Sequence, residues 1–298
     1  MRLIFKIFLA LIFCSVVLYG FNGQSAFETS SPIPLATTAP ANTASVNKLN
    51  ENLAVKIADL PKEIKESSGI EEGGQLGTFY THNDANNPAT LYKIDDKGNL
   101  LATINLSNAE NIDWEDLTRD DKGNIYISDT GNNSNKRLRL RIYKLNPQNP
   151  EKLAEINFEY ADRKNGTADK THYEFDCEAL FWHQNKLHLV TKDREDGVLA
   201  KLYELPDQPG DYEAKLIEKH DVNLPVTAAD ISPDGKTLLL LSKGKIHLFH
   251  PSCKGQFFSG EMQTLNLGKV GQTEAAVFTG NKTVVITNEN GQMYRYNL

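Results

Sequence analysis

Short apolar runs separated by polar turns recur along residues 51–298 and set the expected architecture. One run consists of an apolar residue, a tyrosine or histidine, a variable residue and a further apolar or aromatic residue. Its five copies read "LYKI", "IYKL", "LYEL", "IHLF" and "MYRY" and begin at Leu91, Ile142, Leu202, Ile246 and Met293. The copies lie about fifty residues apart, which is a period typical of a repeated supersecondary unit.

Two further runs precede each copy in a constant order. The nearer run ends in a hydroxyl residue followed by a polar residue, and reads "TFYTH", "IYISD", "LHLVTK", "LLLLSK" and "VVITN". The farther run reads "ESSGI", "DWEDL", "DCEAL", "TAADI" and "TEAA". Short, largely apolar runs of this kind predict β-strands. Turns such as "DDKGN" and "SPDGK" place Asp and Gly where tight hairpins need them, which favours hairpin turns over calcium loops.

A fourth strand follows in only four of the five repeats, beginning at Leu100, Lys152, Ala214 and Met262. The segment "NLAVKIADL" at Asn52–Leu60 is a strand with no repeat of its own. We therefore predict one all-β domain, residues 51–298, folded as a five-bladed β-propeller with four-stranded blades. The N-terminal strand would complete the last blade and leave no open edge between the chain ends. A six-bladed ring is the alternative, and it would need another blade within Tyr160–Tyr173.

The N-terminal residues 1–23 indicate a signal peptide or an uncleaved signal anchor. Arg2 and Lys6 precede an almost wholly apolar stretch, residues 7–21. This stretch has the length of a signal-peptide core and is short for a membrane span. Cys14 follows the large Phe13, which is a poor context for lipidation. Residues 24–50 are rich in Ser, Thr, Pro and Ala and predict a disordered linker. We expect a bacterial protein exported to the periplasm or the exterior, or held at the membrane by this segment.

The charge of the chain narrows the choice of partners. The formal net charge is −7 and the sequence contains no basic run. A negative domain repels phosphate backbones, so we expect no nucleic-acid partner. Membrane contact is expected only through the N-terminal segment, and the domain itself is expected to be a monomer.

Candidate chemistry collects at one face of the predicted ring, which we call the central mouth. There the innermost strand of each blade begins and the second strand ends, so polar residues from all blades should meet. From the strand starts come Glu66, Asp113, Glu115, Asp116, Asp176, Glu178, Asp230 and Glu274, and from the strand ends His82, Asn83, Asp84, Asp129, Lys192, Asp193, Lys243, Asn288 and Glu289. Carboxylate and amide oxygens are the ligands that Ca²⁺ prefers.

Two sets of site residues follow from this arrangement. The predicted metal ligands are Asp113, Glu115, Asp176, Glu178 and Glu274. The predicted ligand-binding residues are His82, Asp84, Asp129, Lys192, Lys243 and Asn288. The competing interpretation is a water-filled polar channel in which acids and lysines, such as Glu178 and Lys192, neutralise each other. The sequence contains no zinc-type spacing of His and Cys, no nucleophile elbow and no phosphate loop.

The motifs resemble those of a family of secreted bacterial β-propeller proteins. The segments "YTHNDANNP", "DWEDL", "SDTGNN", "DCEAL" and "SPDGK" match that family's "WTHNDSG", "DWEDIA", "GDIGDN", "DAEAL" and "SPDG" over most of residues 64–291. More distantly the chain is similar to SdiA-regulated and phytase-like propellers, and the latter likeness implies calcium-dependent phosphoester hydrolysis. The chain departs from the close family at Cys177, Thr130 and Asn132, and it lacks an evident basic phosphate pocket.

Two functions remain open on the sequence. The first is an extracytoplasmic binding or scaffold propeller that holds Ca²⁺, a small polar ligand or a protein partner at the central mouth. The second is a calcium-dependent hydrolase, phytase-like or lactonase-like, with a carboxylate of the central mouth as general base.

Overall fold

A computed structural model describes residues 53–163, 174–195, 197–251 and 255–298. The predicted signal segment and linker, and residues 164–173 of the stretch in which a sixth blade would have to lie, fall outside these described residues. Within them the secondary structure is entirely β, so none of their elements is a helix able to cross a membrane. All described strands belong to one compact unit.

Twenty strands run through the described residues in the order that the repeats predict. They are β1 (Val55–Asp59), β2 (Ser67–Glu72), β3 (Thr78–Asn83), β4 (Thr90–Asp95), β5 (Leu100–Asn105), β6 (Trp114–Arg119), β7 (Ile125–Asp129), β8 (Leu140–Asn146), β9 (Asn149–Tyr160), β10 (Asp176–His183), β11 (Lys186–Lys192), β12 (Leu199–Pro206), β13 (Gly210–Asp221), β14 (Val226–Ile231), β15 (Leu238–Ser242), β16 (Lys245–Phe249), β17 (Gln263–Asn266), β18 (Thr273–Gly280), β19 (Thr283–Asn288) and β20 (Gln292–Asn297).

The strands pair antiparallel in groups of four consecutive strands, β2 to β5, β6 to β9, β10 to β13 and β14 to β17. The last group consists of β18, β19 and β20, and its fourth strand is β1. One feature was not predicted: β9 and β13 pair in parallel, which joins the second and third groups into one eight-stranded sheet. Both strands have twelve residues, and the end of β9 pairs with the start of β13.

The inner strands form a closed ring. Each of β2, β6, β10, β14 and β18 contacts the next, and β18 returns to β2. The N-terminal strand β1 is hydrogen-bonded to β20, the last strand of the chain, in antiparallel register from Val55 opposite Arg295 to Asp59 opposite Gln292. This confirms the predicted propeller and the closure of its last blade by the N-terminal strand.

The hydrophobic core lies between neighbouring four-stranded groups. Five separate apolar clusters each contain residues from two adjacent groups. Because neighbouring groups cover both faces of each sheet, β3, β7 and β15 are buried along their whole length, and β15 begins with four consecutive leucines. Trp114 is completely buried between the first two groups, where its ring meets Tyr143 at 6.0 Å.

One carboxylate ties three inner strands together across the channel. Asp116 on β6 is completely buried. Its Oδ2 accepts hydrogen bonds from the backbone N–H groups of Leu180 on β10, at 3.0 Å, and Ala229 on β14, at 3.2 Å. Its Oδ1 accepts a third from Leu117 N–H at 2.8 Å. Asp116 therefore belongs to the frame of the ring and closes the channel below the central mouth.

The repeated "DDKGN" segments are hairpin turns. Asp95 and Asp120 each accept hydrogen bonds from backbone N–H groups two and four residues on, at 2.8–3.0 Å. Gly98 and Gly123 follow in the left-handed region, with φ of 80° and 82°. Only glycine adopts this conformation without strain, which explains the recurrence of the motif.

Candidate functional site

A β-bulge near the start of every inner strand turns one side chain toward the central mouth. The register against the second strand shifts after Ser67, Trp114, Cys177, Val226 and Thr273. The extra residue that follows is Ser68, Glu115, Glu178, Thr227 or Glu274. A bulge re-aims a side chain that would otherwise follow the alternation of the strand. Four of these five residues, all except Thr227, line the central mouth, and three of the four are glutamate.

The central mouth encloses a cavity of about 190 Å³ in which every lining residue is polar. The lining consists of Glu66, Ser67, Ser68, Asp84, Asp113, Glu115, Asn133, Glu178, Lys192, Arg194, Gln272, Glu274 and Glu289. The structure therefore brings together six of the eleven predicted site residues on this lining. Asp176 lies just beneath it, with its carboxylate in reach of Glu115 and Glu178.

Four predicted ligand-binding residues do not line this cavity. Lys243 is exposed at the end of β15, outside the lining. Asn288 is buried and shapes the turn before β20: its amide donates to Val270 O at 2.7 Å, and its Oδ1 accepts from Gln292 N–H at 2.9 Å. Asp129 is buried beneath the next loop, where its Oδ1 accepts from Asp113 N–H and from Arg137, both at 3.0 Å.

His82 is the fourth of these residues, and it packs between the first two groups of strands. Its ring meets Trp114 edge-on at 5.3 Å, and Nδ1 lies 3.0 Å from Asn83 O. A Cβ on Gly69 would stand 2.7 Å from Nε2, so the ring fills the space that this glycine leaves. Burial lowers the pKa of His82 to about 4, so the ring is neutral at pH 7.

Asp230 lies at the opposite end of the channel, although "TAADI" predicted it at the central mouth. It lines a second cavity with Glu71, Glu72 and Arg119. The bulge of β14 is at Thr227, so Asp230 is three residues further along the strand and opposite Leu239. Its oxygens accept from Phe278 N–H and Ile231 N–H, both at 2.7 Å.

Three carboxylates at the central mouth form what we call the Asp84 triad: Asp84, Asp113 and Glu115. One oxygen from each lies within 4.8 Å of the others. Within the described residues, no Lys or Arg makes an ion pair with any of the three, and the only hydrogen bond to their carboxylates comes from Ala85 N–H. Glu115 is only 7% exposed, so an almost buried carboxylate points unpartnered into the cavity.

Gly131 makes room for this triad. A Cβ at this position would overlap Glu115 Oε1 and the carboxylate of Asp113. The segment is fixed from both sides: Gly131 N–H donates to Asp113 O at 3.1 Å, and Thr130 Oγ1 donates to Cys177 O at 2.8 Å. The "DTGNN" loop therefore holds Gly131 against the carboxylates, and we call this arrangement the glycine clamp.

The second cluster, which we call the Asp176 triad, consists of Glu115, Asp176 and Glu178. It has cationic neighbours. Arg194 pairs with Asp176 through Nε and with Glu178 Oε1 through Nη2 at 2.5 Å. Lys192 Nζ lies 3.0 Å from Glu178 Oε2. Asn132 N–H donates to the remaining oxygen of Asp176, so all four oxygens of Asp176 and Glu178 have donors.

The electrostatics of the central mouth disfavour ionisation of its acids. Burial, with the charges of Asp84 and Glu178, raises the pKa of Asp113 to about 6. Burial and the neighbouring Glu178 raise the pKa of Asp176 to about 8, although Arg194 opposes the shift. Burial raises the pKa of Glu115 well above its ordinary value, and the surrounding carboxylates add to this. A bound metal cation stabilises the ionised form of carboxylates that are crowded in this way.

Arg194 is the main residue of the site that the sequence did not single out. It stands two residues after the end of β11, in "TKDRE", where the motif of that strand appeared to finish at Lys192. Ser67 and Ser68 were also overlooked, and Ser68 stands where three other repeats have glutamate. A search for charged residues just beyond each strand end would have found Arg194.

Comparisons with known proteins do not identify a ligand or an activity for this site. No family model matches the chain, and no curated protein matches it. Among solved structures, a protein assigned as a gluconolactonase is 11% identical with a TM-score of 0.49, covering 83% of this chain and 92% of its own. A gluconolactonase from Xanthomonas campestris is 13% identical with a TM-score of 0.45, covering 78% and 72%.

A third solved structure is a catalytically inactive virginiamycin B lyase from Staphylococcus aureus with quinupristin. It is 15% identical with a TM-score of 0.41, and the match covers 80% of this chain and 68% of the lyase. All three TM-scores are below 0.5, so the ligand and any activity of this chain are inferred from its own residues.

Proposed function

We propose that the protein is an extracytoplasmic propeller that binds Ca²⁺ at the Asp84 triad and presents a polar mouth to a small hydroxyl-rich ligand. The observation that carries this proposal is the convergence of three carboxylates on one point, Asp84 from one segment and Asp113 and Glu115 from another, without a pairing cation among the described residues. Fold alone assigns no function to a propeller, so the proposal rests on these residues.

The donor set fits calcium better than the other common metal ions. The triad supplies carboxylate oxygens, which are hard ligands, and further oxygens come from Ser67, Ser68 and Asn133 on the same lining. A zinc site would need His or Cys, and neither type lines this cavity. The predicted export segment supports an environment rich in calcium, where modules bind the ion with a Kd of about 10⁻⁴–10⁻³ M.

The rest of the lining favours a polar ligand. Among the described residues no apolar side chain lines the cavity, so an aromatic or aliphatic ligand would find no apolar surface to pack against. Lys192, Glu274 and Gln272 supply both donors and acceptors around the triad. Such a set suits a polyol or sugar-like molecule, with one or two hydroxyls completing the coordination of the ion.

Calcium titration of chelator-treated protein tests this proposal. We expect Glu115→Gln, Asp113→Asn and Asp84→Asn each to weaken Ca²⁺ binding at least about tenfold, which is about 1.4 kcal/mol. Glu289→Gln is the matched control, because Glu289 lines the same cavity outside both triads. Equal affinity in the triad variants and the control would place the ion elsewhere, and no binding by the parent protein would refute the proposal.

A calcium-dependent hydrolase of lactones or phosphoesters is the second candidate, and Glu274 favours it. Glu274 lines the cavity outside both triads, and burial raises its pKa to about 7. A carboxylate that titrates near neutral pH suits a general base. Hydrolysis of a lactone or phosphomonoester panel that disappears in Glu274→Gln, while Ca²⁺ affinity persists, would establish this candidate; an inactive parent protein with bound calcium would eliminate it.

A further inference from the structure

The two triads share Glu115 but differ in what neutralises them. In the Asp84 triad no described Lys or Arg pairs with a carboxylate. In the Asp176 triad every oxygen of Asp176 and Glu178 already accepts a hydrogen bond, three of them from Arg194 or Lys192 and one from Asn132 N–H. Arg194 and Lys192 thus provide one cationic group for each of these two carboxylates, whereas Glu115 has no ion pair among the described residues.

Arg194 occupies the place that an ion would take in the Asp176 triad. Its guanidinium contacts one oxygen of Asp176 and one of Glu178, and both carboxylates are at least 96% buried in their side chains. A planar guanidinium joins two carboxylates in this way as a fixed, permanently charged cation. Asp176 is opposite Lys192 in the pairing of β10 with β11, so Lys192 and the nearby Arg194 lie beside the start of β10.

We propose that Arg194 is a built-in cation that keeps a second metal ion out of the Asp176 triad, so that the central mouth accepts one divalent ion. Removing this guanidinium opens a second divalent-cation site formed by Glu115, Asp176 and Glu178. The inference rests on the proposed calcium site for the first ion. It gives Arg194 a role in setting the number of bound metal ions, and this role is separate from any contact with a ligand.

The number of bound ions tests this role. Chelator-treated parent protein, Arg194→Gln, Arg194→Lys and Arg139→Gln are titrated with Ca²⁺ by calorimetry, and the bound ions are counted by native mass spectrometry. Arg139 is the matched control because it pairs with Asp211 on the surface, outside the lining of the mouth. We expect one ion in the parent, Arg194→Lys and Arg139→Gln, and two ions in Arg194→Gln.

The outcomes separate this inference from the proposal on which it rests. One ion in both the parent and Arg194→Gln overturns the role of Arg194 and leaves the first site intact. Two ions in the parent also overturn it, because the guanidinium would then exclude nothing. No ion in any variant refutes the calcium site and the inference together. An ion in Arg194→Gln alone refutes the first site and supports Arg194 as the barrier.

Folding of Arg194→Gln is checked by its thermal melt. Without the guanidinium, Asp176 and Glu178 lose a partner, so we expect a lower Tm without calcium and a larger rise on adding Ca²⁺ than in the parent. Equal calcium-induced shifts in both proteins would contradict a second site. Arg194→Lys retains the charge, so a second ion bound to that variant would contradict exclusion by a cation even if the glutamine variant does not fold.

Discussion

The substitution Asp116→Ala tests whether one carboxylate holds the ring of inner strands together. The change removes the acceptor of three backbone N–H groups, on Leu117, Leu180 and Ala229. A buried N–H left without a partner costs about 1–3 kcal/mol, so the expected loss of stability is about 3–9 kcal/mol. Since folded domains are stable by about 5–15 kcal/mol, the variant should lie near the limit of folding.

Asp116→Asn separates the hydrogen bonds from the shape of the side chain. Its single oxygen can still serve the two amides on β10 and β14, and only Leu117 N–H then loses its acceptor. We therefore expect a loss of about 1–3 kcal/mol, clearly smaller than for alanine. Asp234→Ala is the control: among the described residues its carboxylate contacts only Ser232 and Lys236 of the turn before β15, and its loss should cost under about 1 kcal/mol.

Urea unfolding followed by tryptophan fluorescence measures these differences. The chain has two tryptophans, and Trp114 is completely buried two residues from the substitution. A shifted midpoint with an unchanged slope would report stability alone. A loss below about 1 kcal/mol in Asp116→Ala, or equal losses in the alanine and asparagine variants, would refute the hydrogen-bond account.

Two further predictions concern the glycine clamp and the far end of the channel. Gly131→Ala should lower Ca²⁺ affinity at least about tenfold in calorimetry, because its Cβ would overlap Asp113 and Glu115; unchanged affinity would contradict the clamp. Burial raises the pKa of Asp230 to about 7, so the folded state binds a proton that the unfolded chain releases near pH 4. The stability that this proton contributes is complete below about pH 4 and lost by about pH 7. The parent should therefore lose up to about 4 kcal/mol more than Asp230→Asn over that range in urea melts at several pH values, and parallel profiles would contradict this.

The sequence was sufficient to predict the order of the strands and the closure of the last blade. The order could be predicted because each repeat has three apolar runs in constant order, and the closure because the segment containing β1 has no repeat of its own. Asp113 and Glu115 of "DWEDL" and Asp176 and Glu178 of "DCEAL" were also placed at the correct end of the channel, whereas Asp116 lies below the central mouth. These acids stand at the start of an inner strand, and the apolar run that follows them identifies where that strand begins.

The direction of individual side chains was harder to predict. Each inner strand has a bulge that shifts its alternation by one residue, and neither residue type nor period reveals it. "TAADI" was therefore aligned two residues out of register, which displaced Asp230 to the wrong end. His82 was assigned to the mouth from its place at a strand end, whereas packing against Trp114 decides its direction.

Anomalous diffraction from crystals grown with Ca²⁺ or soaked with Tb³⁺ shows directly where the ion binds. We expect one strong peak at the central mouth, about 2.3–2.6 Å from carboxylate oxygens of Asp84, Asp113 and Glu115. Arg194 should remain on Asp176 and Glu178 beside it. A mouth without a peak, or a peak bound by Asp176 and Glu178 with Arg194 displaced, would contradict calcium binding at the Asp84 triad.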